Sequence, residues 1–287
     1  SLINRPTIQV LMGLLMILLI FALSSSYINH LDYNHTVEQY SDDIRNKWEN
    51  NPDKHPHRMA HYGYVVFREQ FPLSYFDLGM NSYLGNVVFL EAHRQNSINF
   101  SQASLSNGLL RFGELSAGYI LQLLLPLLII FGGFNLISGE RELGTLKLLL
   151  SQGASWPEIL LGRALGLFLI SLLVFVVIMF IVFVMMVFPL DIDSICQLIL
   201  SYSTIFWSYI SYLLIMCLLT VWVSANSQTN KAALSKLIGC WVIFTLLLPR
   251  VSQVLGQVNY PSLSKTQFDS IVEEGIIKQG DSHNPDD

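Results

Sequence analysis

Long uncharged apolar runs dominate the pattern along this chain. They cover residues 7–23, 115–137, 164–188, 195–223 and 237–255. Each approaches or exceeds the roughly 20 mostly apolar residues that a helix needs to cross a bilayer. The first run is bounded by Arg5-Pro6 and by Ser24-Ser25-Ser26, and the third carries no charge at all. The fifth is the weakest, because Pro249-Arg250 interrupts it. Runs this long and uncharged make poor soluble core helices, so the pattern predicts an all-α polytopic membrane protein with five spans. Between the first two runs, residues 24–114 are polar enough to lie outside the membrane and long enough for a small folded domain. There Val37, Tyr40, Ile44 and Trp48 recur at helical spacing. Residues 64–67 and 87–90 are short β-prone or buried runs, and Asn50-Asn51-Pro52 and His55-Pro56 mark a loop before them. The expected organisation is an N-terminal segment with the first span (1–23), a small α or α+β extracytoplasmic domain (24–114), a transmembrane bundle (115–255) and a polar C-terminal segment (256–287).

Composition sharpens this picture. Of 287 residues, 52% are hydrophobic and 13% charged, against about a quarter charged in an average soluble domain. With a mean hydropathy of +0.47, disorder and a coiled coil are excluded. The net charge is −5 with no Lys/Arg cluster, so nucleic acid is not an expected partner. Cys196, Cys217 and Cys240 sit inside apolar runs without metal-site or CxxC spacing, as small buried side chains do. No signal-peptide cleavage pattern follows the first run, which reads as a retained span. The loop after the second span carries Arg141, Lys147 and Arg163, and the loop after the fourth carries Lys231 and Lys236. The turn between the third and fourth has Asp191 and Asp193. The positive-inside rule therefore puts the N-terminus and both basic loops in the cytoplasm and residues 24–114 in the periplasm, with Trp222 and Trp241 near the cytoplasmic interface.

The loop after the second span is the most patterned stretch, NLISGERELGTLKLLLSQGASWPEILLGRALG at 135–166. Ser138 can cap a helix whose first turn holds Glu140 and Glu142. Leu143, Leu146 and Leu150 line one face, and Gly153 can take the left-handed position that ends it. Ser155-Trp156-Pro157-Glu158 then reads as a capping box with Pro in the first turn. The expected structure is an amphipathic helix, a tight turn and a new helix entering the third span. Such an element either docks a soluble partner or only anchors the loop at the interface.

The segment GERELGTLKLLLSQGASWPEILLGRALG resembles the stretch after the second span in type-2 ABC exporter permeases, a class that includes permeases associated with multicopper-enzyme maturation. The resemblance implies that this stretch, at 138–158, is a coupling helix seated in a groove of the ATPase subunit. It assigns the coupling contacts to Glu140, Arg141, Glu142, Gly144 and Thr145, with Gly153, Ser155, Pro157 and Glu158 supporting the turn. HPHRMAHYG at 55–63, FPLSYFDLG at 71–79 and FLEAHRQN at 89–96 are similar to a subfamily with a large periplasmic insertion after the first span. The implied assembly is a type-2 ABC permease-like bundle in the bacterial inner membrane. It would pair with a second permease, the same or a related chain, and with two ABC ATPase subunits that hold ATP and Mg, with lipid around it and a periplasmic partner outside. Five spans stand where this family normally has six, and the chain begins at Ser1 rather than Met, so a trimmed chain lacking its last span is expected.

No G-x-x-x-x-G-K-[ST], G-x-S-x-G or HExxH motif is present, so any ATPase must be a separate chain and this chain is a non-catalytic permease subunit without a cofactor of its own. No carboxylate or histidine lies inside a predicted span, which argues against a proton pump or intramembrane protease. Six of the seven histidines, His30, His35, His55, His57, His61 and His93, fall in the outer domain. His55, His57 and His61 either supply metal ligands or pack structurally. Arg68, Glu69, Glu91 and Arg94 read as surface or intradomain pairs. Ser201, Thr204, Ser208 and Ser211 put small hydroxyls on one face of the fourth span, either for packing within the subunit or for a dimer seam or translocation path. Pro126 and Gly132-Gly133 would permit a bend in the second span, and Arg250 would snorkel to the surface. The functional alternative to an ATP-driven exporter is a polytopic receptor or assembly factor whose outer domain is the working part.

Overall fold

The computed structural model describes residues 6–81, 84–92, 98–99, 116–188, 192–261 and 263–280, with the side chains of 98–99, 192–197 and 265 left aside. His93, Arg94 and Asp191, and the side chains of Asp193 and Cys196, therefore lie outside the described residues. The chain divides into two compact units, Ser1–Ile238 and Gly239–Asp287. Among the described residues, five helices are long and apolar enough to cross a membrane.

The first helix, α1 (Pro6–Glu49), runs for 44 residues without a break. At 1.5 Å per residue that is about 66 Å, roughly twice a bilayer's hydrocarbon thickness. The serines at 24–26 therefore end the apolar run and not the helix. Beyond them Tyr40 packs on Phe67 and Trp48 edge-on against Tyr64. The short helix α2 (Pro56–Ala60) leads into β1 (Tyr64–Phe67), which pairs antiparallel with β2 (Val87–Leu90) and through it with β3 (Ile98–Asn99). The outer domain is thus α+β, with Tyr64 opposite Leu90 and Phe67 opposite Val87. Among the described residues Arg68 is bonded to amide oxygens and not to an acid. Its guanidinium donates to Asn81 Oδ1 (2.9 Å), Asn86 Oδ1 (3.2 Å) and Gly85 O (3.1 Å), tying Asn81, Gly85 and Asn86 to one cation.

A 3₁₀ turn at Pro72–Tyr75 plugs this domain onto the bundle. Tyr75 and Phe76 are buried. Tyr75 Oη donates to Val182 O at 3.0 Å, and burial raises its phenol above the usual range, so it stays a donor through alkaline pH. Gly118 N donates to Phe76 O at 2.8 Å, joining the turn to the start of α3 (Ala117–Gly133).

The bundle packs α1, α3, α6 (Trp156–Val187) and α7 (Ile192–Ala225) around Leu19, Leu121, Leu125, Phe175, Ile178 and Leu213. A polar ladder links α3 to α7: Tyr209 Oη donates to Gly118 O, Gln122 Nε2 to Tyr209 Oη and Tyr212 Oη to Gln122 O, each at 3.1 Å. Bonds of this kind inside a bilayer contribute about 0.6 kcal/mol each. α3 runs helically through Pro126 to Gly133. Gly133 admits close approach rather than a bend, since a Cβ there would lie 2.5 Å from Thr220 Cγ2 and 2.6 Å from Leu167 Cδ2. Cys217 is buried and shares a hydrogen bond with Ser171, whereas Cys240 is only half-buried.

α8 (Asn230–Val242) buries Ala233 and Leu237. Pro249 does not break the chain after it. A π turn at Ile243–Leu247 leads into α9 (Leu248–Asn259), which places Pro249 at the start of a helix, where its missing N–H removes no bond. The polar tail folds locally into α10 (Lys265–Gln279), started by a Ser264–Gln267 capping box.

Candidate functional site

The loop joining α3 to α6 is a built elbow. Instead of one amphipathic helix it holds two short ones, α4 (Ser138–Glu142) and α5 (Thr145–Ser151). Gly144 divides them with φ 77°, a left-handed turn that rotates the second helix away from the register of the first. The predicted Leu143–Leu146–Leu150 face is split for that reason: Leu146 is buried, while Leu143 is 80% exposed. The end of α5 follows expectation. Gly153 has φ 94°, and Ala154 N donates to Leu149 O and Gly153 N to Leu150 O, a Schellman closure. Glu158 then accepts from Ser155 N at 2.8 Å, completing the capping box at the start of α6 with Pro157 in its first turn.

Each charge at the start of the elbow reaches a different helix. Glu140 pairs with Arg163 of α6. Arg141 donates to Ala225 O at 2.6 Å and to Ser227 O, satisfying carbonyls at the C-terminal end of α7, where a cation also meets the negative end of the helix dipole. Glu142 accepts from Asn230 N at 2.9 Å and from Asn230 Nδ2 at 2.6 Å, capping the N-terminus of α8. Ser138 does not cap its own helix. Ser224 Oγ accepts from the N–H groups of Ile137 and Ser138, and Ser138 Oγ donates to Phe134 O and to Asn230 Oδ1 at 2.7 Å. Four helices, α3, α6, α7 and α8, thus converge on five consecutive residues. Thr145 Oγ1 donates to Glu140 O at 3.2 Å, while its residue, Lys147 and Leu148 stay exposed. Periodicity found the elbow but missed the partners Ser224, Ser227 and Asn230. The only local signal for these was a cluster of small polar residues after the fourth apolar run.

The other sequence-derived sites fare differently. Thr204, Ser208 and Ser211 are exposed and donate to the carbonyls of Leu200, Thr204 and Trp207 on their own helix. Ser201 lies half-buried on the same helix. The buried face of α7 is instead Tyr209, Leu213, Cys217 and Val221. In the outer domain His57 and His61 meet edge to face at 4.8 Å, and His55 Nδ1 accepts from His57 N. Among the described residues no group of three or more His, Cys, Asp or Glu side chains is arranged to hold a metal ion.

Among the described residues, five helices are long and apolar enough to cross a membrane, as in a multi-pass membrane protein. The family model described as ABC-2 family transporter protein matches residues 5–270. The chain belongs to that family: it is a transmembrane permease subunit of an ABC transporter, a kind of subunit that works with an ABC ATPase. No curated protein matches it.

Proposed function

We propose that this chain is the permease of an ATP-driven exporter in the bacterial inner membrane, with α4 and α5 as the coupling element seated on a separate ATPase. The observation that carries this reading is the elbow's geometry. Glu140, Arg141 and Glu142 grip α6, α7 and α8 at once, so a push on α5 moves three helix ends together. Leu143, Thr145, Lys147 and Leu148 are the exposed surface left to meet the ATPase. Docking and transmission are thereby divided between neighbouring residues, with Gly144 as the joint. Coupling of this kind requires an element with two arrangements that both sites bias. Two permease copies, the same or related, would face each other, each over one ATPase holding ATP and Mg. The exposed Thr204, Ser208 and Ser211 stripe would line their seam or the path between them. With the elbow cytoplasmic, residues 24–114 are periplasmic and receive or pass on the cargo.

Co-expression with the ATPase tests this. Leu143→Asp with Leu148→Asp is expected to leave the permease in the membrane and lose the ATPase from pull-downs. Arg141→Gln is expected to retain the ATPase but lose cargo-stimulated hydrolysis by tenfold or more. If both variants keep full binding and stimulated hydrolysis, the elbow is an anchor and the coupling reading is wrong.

A further inference from the structure

The turn that leads into the outer domain's sheet carries His55, His57 and His61 close together in the chain. It is fixed from several sides. Pro56 starts α2, His55 Nδ1 accepts from His57 N at 3.3 Å, and the N–H groups of Arg58 and Met59 donate to His55 O. Ala92 N donates to Ala60 O at 3.3 Å, which ties the turn to the chain leaving β2. His61 keeps helical dihedrals (φ −85°, ψ −8°) just past the last residue of α2, so His57 and His61 stand four apart on one helical face. Both residues are exposed, and their ring centres lie 4.8 Å apart with planes at 74°.

A shared metal ion would hold two rings at this spacing. An imidazole nitrogen binds Zn or Cu at about 2.0–2.1 Å, which sets each ring centre about 3.2 Å from the ion. With roughly 90–109° between ligands, as in square-planar or tetrahedral geometry, two such ring centres lie about 4.5–5.2 Å apart. The observed separation falls inside that window, so the backbone is already in place. Turning the nitrogens onto one ion needs only rotation about χ2, a broad torsion in histidine. Histidines at the same i, i+4 spacing on a helix hold zinc in metalloprotease sites. Packing accounts less well for the pair, because exposed rings bury little apolar area. The donor set also selects the ion. Residues 24–114 contain no cysteine, and neutral imidazole suits Cu(II), Ni(II) and Zn(II) over the oxygen-seeking Ca and Mg. Among the described residues no group of three or more His, Cys, Asp or Glu is arranged around an ion, so water or a donor from another molecule would fill the remaining positions.

The geometry points to a two-imidazole metal site at His57 and His61 that takes a first-row divalent ion, with Cu(II) held tightest of the series. His55 is a positioning residue that caps the turn carrying both ligands. With only two protein ligands the ion is exchangeable, which suits capture of an ion or bridging to a second molecule better than holding the domain together. The site goes beyond the exporter reading and does not rest on it, since its test needs neither the ATPase nor the elbow.

The test uses the full chain in phosphatidylcholine nanodiscs, with no histidine tag on chain or scaffold, titrated in separate arms with Cu(II), Zn(II) and Mg(II). The expected result is one Cu(II) bound per chain at micromolar concentration, Zn(II) bound more weakly and Mg(II) not bound. Pulsed electron paramagnetic resonance of the Cu(II) form should show modulation from the remote nitrogens of two imidazoles. His57→Gln and His61→Gln, at exposed positions where folding is not at stake, should each weaken Cu(II) binding tenfold or more. Arg58→Gln on the same turn and His35→Gln on α1 should leave it unchanged, which separates loss of a ligand from disturbance of the turn. Absence of Cu(II) binding in the micromolar range overturns the proposal. Binding that survives His57→Gln with His61→Gln, a single-imidazole signature, or equal binding of Mg(II) overturns it as well.

Discussion

At Gly144 the backbone turns left-handed, and a side chain there would face a steric cost of about 1–2 kcal/mol. Gly144→Val is therefore expected to lower the melting temperature only modestly, but to displace α5 and reduce coupled hydrolysis far more than stability. Thermal unfolding and stimulated ATPase rates, measured side by side, check the difference. Gly133 is constrained by neighbours instead of by its own φ. With Thr220 and Leu167 already within 2.6 Å of where a Cβ would sit, Gly133→Val should cost about 1–3 kcal/mol by overpacking. The measurement is unfolding in mixed micelles, and wild-type stability in that variant would show that α3 does not sit where described. Neither glycine is distinguishable in the bare sequence from Gly132 or Gly139. One is set by a turn and the other by atoms about 35 and 90 positions away.

Among the elements, α1 and the elbow carry most of the consequences. α1 is one rigid rod that spans the membrane and then forms the spine of the outer domain, so the domain cannot tilt freely against its own span. The helical spacing of Tyr40 and Trp48 was legible because it is local. That the helix would not stop at three serines was not, since serine is neutral inside a helix when neighbouring packing holds it. In the elbow, Arg141→Ala removes a cation that closes the end of α7. Loss of charge-assisted bonds of this type costs about 1.5–3 kcal/mol. Hydrogen exchange at residues 222–227 should rise in that variant while exchange in α3 stays unchanged. A uniform rise across the bundle would mean that the arginine supports the whole fold instead of one helix end.

For the molecule as a whole, the outer domain is seated on the bundle through the turn at Pro72–Tyr75. Tyr75 contributes one buried bond to Val182 O, worth about 1 kcal/mol. Tyr75→Phe is expected to loosen the 72–77 turn in hydrogen exchange without moving the main unfolding transition. If the main transition falls by several degrees, the turn is instead part of the bundle's core. The same seat brings Ser74 and Gln70 against His30, so it also ties the turn to α1.

The five apolar runs, the short β-prone or buried runs at 64–67 and 87–90 and the capping box at Ser155 were legible in the sequence. They depend on hydropathy, charge and contacts within four residues, which the local order of side chains dictates. The division of the elbow at Gly144 and the three helix ends gripped by Glu140, Arg141 and Glu142 were decided by tertiary structure. Their partners come from residues tens of positions apart, brought together only when the apolar helices pack and leave each polar group to find its match.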